Sequence, residues 1–319
     1  MQLHLSGSRI GYGIYSLTGM YGTVPREEAS KLVIEAVEMG VDMLDTADIY
    51  GRGLGEELAG EVAGRVFIAT KVGYDLSSHR PVPRMDEEYL VKAARASRMR
   101  LRVDSIDLLQ IHNPPLDALR GSGIYRAMRR IKEEGIARHT GIALGPEVDV
   151  LPHAVEALSH DEVEALQFVY NMLEQEPGYT IAKMAREAGV ATLVRVPHAG
   201  GVLDETLKPG DEEGLSDHRA LRRKGWYKWA HRVYQSRIKP LLDPLPGSPG
   251  QKALRFIQQS IDPSYIIVIA RSRERLRDYL GYRDIPPLPG NVVMDIMAIY
   301  REEVELSPEK PQHLGMVQS

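Results

Sequence analysis

The sequence contains no cysteine. That excludes disulfides, thiolate nucleophiles and cysteine-bound metal, and it fits a reducing cytosol. There is no excess of positive charge either: the formal net charge is −4, so the balance does not call for nucleic acid or an anionic membrane as partner. No apolar run approaches the roughly 18 residues needed to cross a bilayer. The opening MQLHLSGSRI lacks a basic stretch followed by an apolar one, so no secretory signal is expected and the chain reads as cytoplasmic. None of the ten histidines stands in an HExxH-type pair, so no metal is expected. No GxGxxG follows the first apolar run, which leaves an open dinucleotide-binding sheet without its fingerprint. The glycine-rich GRGLGEELAG (51–60) lacks Walker spacing and its Lys-Ser/Thr, and reads as a turn entering a helix.

What is present is alternation. The 319 residues are 43% hydrophobic and 26% charged, ordinary for a globular chain. Short apolar, β-branched runs recur at 41–45, 66–72, 105–112, 137–144, 163–170, 190–196 and 264–270, after an early strand near Arg9–Gly13. Between them lie helical patterns at 26–40, 86–103, 125–135 and 180–189. The first of these puts Leu32, Ala36 and Met39 on one face. Gly40, Gly135 and Gly189 each supply a helix stop just before the next strand. Eight strands alternating with helices predict parallel βαβ units. In this length they predict an α/β fold of the (β/α)8 TIM-barrel type rather than an open sheet. A single barrel domain over 1–284 is expected, with a long insert, 203–250, after strand seven. A C-terminal tail, 285–319, ends in a polar and mobile segment.

The C-terminal ends of barrel strands face the site. Asp45 ends strand two, and Tyr50 follows in LDTADIYG. Lys71 ends strand three and His112 ends strand four, while Gln167, Tyr170 and Asn171 belong to strand six and its exit. A structural ion pair, a loop tyrosine and a core histidine are each ordinary features; their convergence at successive strand ends points to acid–base chemistry at a carbonyl. A buried lysine needs a carboxylate to stay charged, and a neighbouring ammonium lowers a phenol's pKa. Asp45 is therefore expected to keep Lys71 charged, and Lys71 to tune Tyr50 downward.

LDTADIYG, ATKVG, DLLQIHNP, ALQFVYNMLEQ and RVPHAGGVL, in this order over roughly residues 8–280, resemble the aldo-keto reductase family. The resemblance implies a barrel that binds NADPH, or NADH, extended across its mouth and reduces an aldehyde or ketone to an alcohol. It maps the catalytic tetrad onto Asp45, Tyr50, Lys71 and His112. Tyr50 becomes the proton donor, His112 the carbonyl-orienting group, and Asp45 with Lys71 the tuning pair. Gln167 matches the glutamine that holds the nicotinamide carboxamide, although a strand glutamine can also satisfy a neighbouring backbone. Arg195 stands where many members stack an aromatic on the nicotinamide. Val196, Pro197 and Gly200 match the stretch along the pyrophosphate, and Gly13 joins the cofactor-binding set. Arg271, Ser272 and Arg275 match the clamp on the adenosine 2′-phosphate, which favours NADPH; the plainer reading of the arginines is a solvated helix start.

Two departures stand out. Ala143 and Leu144 replace a Ser-Asn pair that would bond the carboxamide, and Tyr279 replaces an asparagine expected at the adenine. Other residues carry two readings. Tyr15 and Tyr74 are either pocket walls or packing, and Asp48 caps the following turn. The basic, aromatic segment 217–240 either binds nucleic acid, covers the barrel, or closes over the cofactor; covering is expected, with no nucleic-acid or membrane partner. The rival to the enzyme is a non-catalytic regulatory subunit that senses nicotinamide redox state. A barrel enzyme with another cofactor is a third reading. Substrate identity, reaction direction and oligomeric state are not legible here.

Overall fold

β-branched side chains are stiff and suit extended backbone, and each apolar run becomes one strand. The computed structural model describes residues 3–4, 7, 9–146, 149–223 and 225–306. The strands are β1 (Arg9–Gly13), β2 (Met43–Asp45), β3 (Phe67–Val72), β4 (Ile106–His112), β5 (Ala137–Ala143), β6 (Ala165–Val169), β7 (Ala191–Arg195) and β8 (Tyr265–Val268). All neighbours pair in parallel, and β8 closes on β1 to complete a barrel. Closure leaves no sheet edge.

Side chains alternate faces along a strand, so each inward column can be read off its strand. Met43 and Asp45 form one column; Phe67, Ala69 and Lys71 the next; then Leu108, Gln110 and His112; Ala165 and Gln167; and Ala191, Leu193 and Arg195. The lower members, with Tyr265 and Ile267, form a separate buried apolar cluster. The upper members are the polar residues singled out by the sequence. The register levels them across the barrel: Gly13 lies beside Asp45, Lys71 beside Gln110, His112 beside Ala143, and Ala143 beside Gln167. One end of the packed core therefore carries all of the polar chemistry.

Helices Arg26–Glu38, Glu87–Leu101, Gly123–Glu133 and Gly178–Glu187 lie where the periodicity places them. Three strand-preceding glycines have left-handed backbone, with φ of +89° at Gly40, +66° at Gly135 and +67° at Gly189. No atom crowds a Cβ at these positions, so the requirement is conformational rather than steric. The first helix buries Ala29, Val33 and Ala36, while Leu32 and Met39 are only half-buried. The buried stripe keeps the expected i, i+4, i+7 spacing but starts three residues earlier, at Ala29 rather than Leu32, and shares Ala36 with the expected one.

The segment 203–250 packs on the barrel through the helix Trp226–Val233, which buries Trp226, Tyr227, Ala230 and Val233 and leaves Lys228 and Arg232 exposed. Its two most buried aromatics are thus not offered to solvent. Within the presumed tail, Gly290–Leu306 forms a 17-residue helix. It buries Val292, Val293 and Ile296, and its Ile296 carbonyl accepts from Gln175 Nε2 at 3.3 Å. Residues 290–306 are therefore packed structure; the polar 307–319 lie outside the described residues. Among the described residues no helix is long and apolar enough to cross a membrane, and no cluster of three or more His, Asp or Glu could hold a metal.

Candidate active site

Asp45 and Lys71 top adjacent inward columns, only 5% and 1% exposed. Lys71 Nζ donates to Asp45 Oδ2 at 2.7 Å and to the Thr46 carbonyl at 2.8 Å, and lies 3.4 Å from Tyr50 Oη. Tyr50 arrives from the turn after β2 and meets Tyr15 and His112 edge-on, with ring centroids 4.8 Å and 5.9 Å away. Tyr74 meets His112 at 5.4 Å. The four tetrad residues therefore converge at the C-terminal mouth.

Burial governs the electrostatics of this group. It pulls the Lys71 ammonium's pKa down, against the charge and hydrogen bond of Asp45. It pushes the Tyr50 phenol up, helped by Asp45 and opposed by Arg195. The net shift of Tyr50 is thus upward rather than the downward one expected, because withdrawal of the phenol from water, with the Asp45 charge beside it, outweighs the opposing positive charge of Arg195. His112 is held well below its usual range by burial, then by the positive charges of Lys71 and Arg195, so the imidazole is neutral.

Gln167 is not free to serve a ligand with both ends of its amide. Its Nε2 donates to Asp45 Oδ1 at 2.9 Å and lies 3.4 Å from Gln110 Oε1. Asp45 thus receives Lys71 on one oxygen and Gln167 on the other. Ala143 and Leu144 are buried and bring no polar side chain. Leu144 contributes its carbonyl, which accepts from Arg195 Nη2 at 2.7 Å and fixes the guanidinium at the end of β7. Buried Arg195 Nε, Gln110 Nε2 and His112 Nδ1 have no hydrogen-bond partner. Unpaired buried polar atoms are costly, and three at one mouth mark where a polar group belongs.

After β7 the backbone turns left-handed repeatedly, with φ of +60° at Val196, +51° at Ala199, +69° at Gly200 and +108° at Gly201. Asn171 holds this turn by donating to the Val196 carbonyl at 2.9 Å. Pro197 is buried, while Val196 and Gly200 are partly open. Such turned backbone suits an anion. Arg271 and Ser272 are exposed and Arg275 is half-buried at the start of Arg273–Leu280. Ser272 Oγ caps that helix by accepting from Arg275 N at 3.2 Å, and Arg271 donates to the Tyr21 carbonyl at 2.6 Å. Gly13 is explained by packing, since a Cβ there would meet Ile269 at 3.0 Å and Ile267 at 3.2 Å. Tyr279 stands at the position matched to the adenine contact. It is 1% exposed, its hydroxyl donates to Asp204, and its ring stacks on His198 at 4.3 Å. A tyrosine with a buried acceptor within reach folds inward.

The Aldo/keto reductase family model matches residues 9–301. The chain belongs to the aldo/keto reductase family. It is 26% identical over 279 residues to the uncharacterized oxidoreductase YqkF of Bacillus subtilis, covering 85% of each chain. It is 25% identical to the aldo-keto reductase yakc [NADP(+)] of Schizosaccharomyces pombe, covering 78% of this chain and 75% of that one. Among solved structures it is similar to the holo form of the aldo-keto reductase AKR11C1 from Bacillus halodurans. The TM-score is 0.74 at 24% identity, covering 94% of this chain and 96% of that one. A glycerol dehydrogenase, AKR11B4 from Gluconobacter oxydans, gives 0.75 at 20% identity, with 94% of each covered. These last two likenesses concern the fold. As an aldo/keto reductase, the chain is a member of an oxidoreductase family.

Sequence reading missed one polar group behind Asp45, Lys71 and Tyr50. Glu56, fully buried, accepts from Thr70 Oγ1 and from Arg100 Nε, each at 2.6 Å. Beside it, Asp48 is 2% exposed and its Oδ1 has no partner. Burial, then the Glu56 charge, pushes the Asp48 carboxyl up to about 8. The native state keeps this proton over a window in which the unfolded chain releases it, so Asp48 costs stability as pH rises toward 8. Asp48→Asn should therefore stabilise the protein by about 1–3 kcal/mol at about pH 9 and change it little at about pH 4. Urea unfolding at the two pH values measures the difference.

Proposed function

We propose that the protein is an NADPH-preferring reductase of aldehydes and ketones, with Tyr50 as proton donor. The observation that carries this reading is the convergence of Tyr50, Lys71, Asp45 and His112 at the mouth of the barrel. A nicotinamide dinucleotide suits the three orphaned polar atoms there and the left-handed turn after β7. Arg195, pinned through Leu144, offers a planar guanidinium to the ring, and Gln167 would reach the carboxamide through its remaining polar atom. Arg271 and Arg275, with Ser272, would take the 2′-phosphate.

When bound, the reduced nicotinamide supplies a hydride to the carbonyl carbon. The neutral His112 orients the carbonyl oxygen. Tyr50 Oη is protonated at neutral pH, the form a proton donor needs, and it gives that proton to the oxygen as negative charge develops. Lys71, 3.4 Å away, stabilises the phenolate left behind, and Asp45 keeps Lys71 charged. The buried setting strengthens each of these interactions.

A second reading, a nucleotide-sensing subunit without turnover, is favoured by the apolar Ala143–Leu144 pair and by the Gln167 amide given over to Asp45. Turnover of any small carbonyl compound rejects it.

Fluorescence titration with NADPH and NADH tests the cofactor assignment. In an Arg271→Ala/Arg275→Ala variant, NADPH affinity should weaken about ten- to a hundredfold, as expected for losing a charge-assisted hydrogen bond. NADH affinity should stay within about twofold. Equal weakening of both removes the 2′-phosphate role, and no binding of either by the wild type removes the reductase reading.

A further inference from the structure

The turn that carries Tyr50 contains three consecutive left-handed residues: Gly51 at φ +58°, Arg52 at +54° and Gly53 at +99°. A Cβ at Gly51 would meet Leu54 Cβ at 2.9 Å and Thr18 Cβ at 3.1 Å, so glycine is required there. Arg52 is different. Its backbone, with ψ of 47°, is one that L side chains rarely adopt, yet glycine is not used. An exposed arginine in this conformation needs a reason in its side chain.

The side chain supplies one. Arg52 Nη1 donates to the Ser78 carbonyl at 3.2 Å, and Nη2 donates to the Leu76 carbonyl. Both acceptors lie in the short antiparallel loop in which Tyr74–Asp75 pairs with Val82–Pro83. Arg84 secures the base of that loop, its amide donating to the Gly73 carbonyl at 2.7 Å and its side chain meeting Asp75 at 3.1 Å. The loop carries Tyr74, whose ring meets His112 at 5.4 Å and whose hydroxyl lies 3.4 Å from Asn113 Nδ2. Tyr50 meets the same imidazole at 5.9 Å. Two tyrosines from two separate segments thus flank one histidine, and Arg52 is a direct polar tie between those segments.

We propose that Arg52 is a positioning residue that fixes the spacing between Tyr50 and Tyr74 around His112, so that the proton donor and the substrate wall are held as one unit. The inference rests on the reductase reading for its effect on turnover, but the tie itself does not.

Hydrogen exchange, thermal unfolding and steady-state kinetics on wild type, Arg52→Gly and Arg52→Lys decide it. In Arg52→Gly, kcat on a small aldehyde should fall about tenfold with KM within about threefold, the signature of a misplaced group rather than of lost binding. Amides in 50–54 and in 74–82 should exchange faster together. The melting temperature should not fall, because glycine accepts this backbone without strain. Arg52→Lys, which keeps a cationic donor, should recover part of the rate. Unchanged kcat, faster exchange confined to 50–54, or a loss of rate matched by a loss of melting temperature would overturn the proposal. A wild type without turnover would remove the reductase reading instead, and the exchange of the two segments would still judge the tie.

Discussion

Tyr50→Phe should lower kcat by about two to four orders of magnitude, the range for removing a positioned general acid, while nucleotide affinity stays within about twofold. Phenylalanine keeps the ring, and with it the edge contacts to Tyr15 and His112 at 4.8 Å and 5.9 Å. Only the hydroxyl is lost, the atom 3.4 Å from Lys71 Nζ. A stopped assay of aldehyde consumption, paired with nucleotide titration, separates the two effects. The pH profile supplies a second check. Burial raises the Tyr50 pKa above that of a free phenol, so its acid form persists through neutral and moderately alkaline pH. Burial and two nearby cations lower His112, so its neutral form persists down through pH 6.5. Between these limits neither group changes state, and kcat should be flat from about pH 7 to about pH 9. A decline near pH 8 that vanishes in Asp48→Asn belongs to Asp48; one that persists contradicts the assignment of Tyr50 as donor.

Asp45→Ala should destabilise the fold by about 3–5 kcal/mol, the usual cost of leaving a buried charge without its partner. Lys71 is 1% exposed and would keep only the Thr46 carbonyl and the Tyr50 hydroxyl. Gln167 would lose its acceptor as well. The double variant Asp45→Asn/Lys71→Met should be much closer to wild type in stability, since removing both charges removes the uncompensated one. Both variants should be catalytically impaired, so urea unfolding rather than activity separates them. The penalty has a definite sign with pH. The native pKa of Lys71 is lowered, so above it the unfolded chain holds more protons than the native one. Stability of the single variant should therefore recover as pH rises toward 10. A penalty that grows with pH would show that the lysine is not the charge left behind.

The fold was legible because its signals are local. The run SYIIVIA has four consecutive β-branched residues, Ile266 to Ile269, and Gly40, Gly135 and Gly189 supply backbone that other residues adopt with strain. The helix inside 285–319 carries no mark in the sequence, because the segment opens on IPPLPG and ends polar, whereas Val292, Val293 and Ile296 form a buried face. Lacking a marked helix–strand alternation, that face is recognisable only beside the surface it covers.

The convergence of Asp45, Lys71 and His112 was legible too, because period-two alternation and parallel register put the last inward residue of each strand at one mouth. Tertiary structure alone decided what those residues do to one another. It gave the Gln167 amide to Asp45, turned Tyr279 onto Asp204 and His198, and reversed the expected shift of Tyr50. It also tied Arg52 to carbonyls 24 and 26 residues further along the chain. Residue types and strand ends are properties of short segments, and a sequence states them directly. Hydrogen-bond partners and desolvation depend on distances of a few ångströms between segments far apart in the chain, and only the closed barrel sets those.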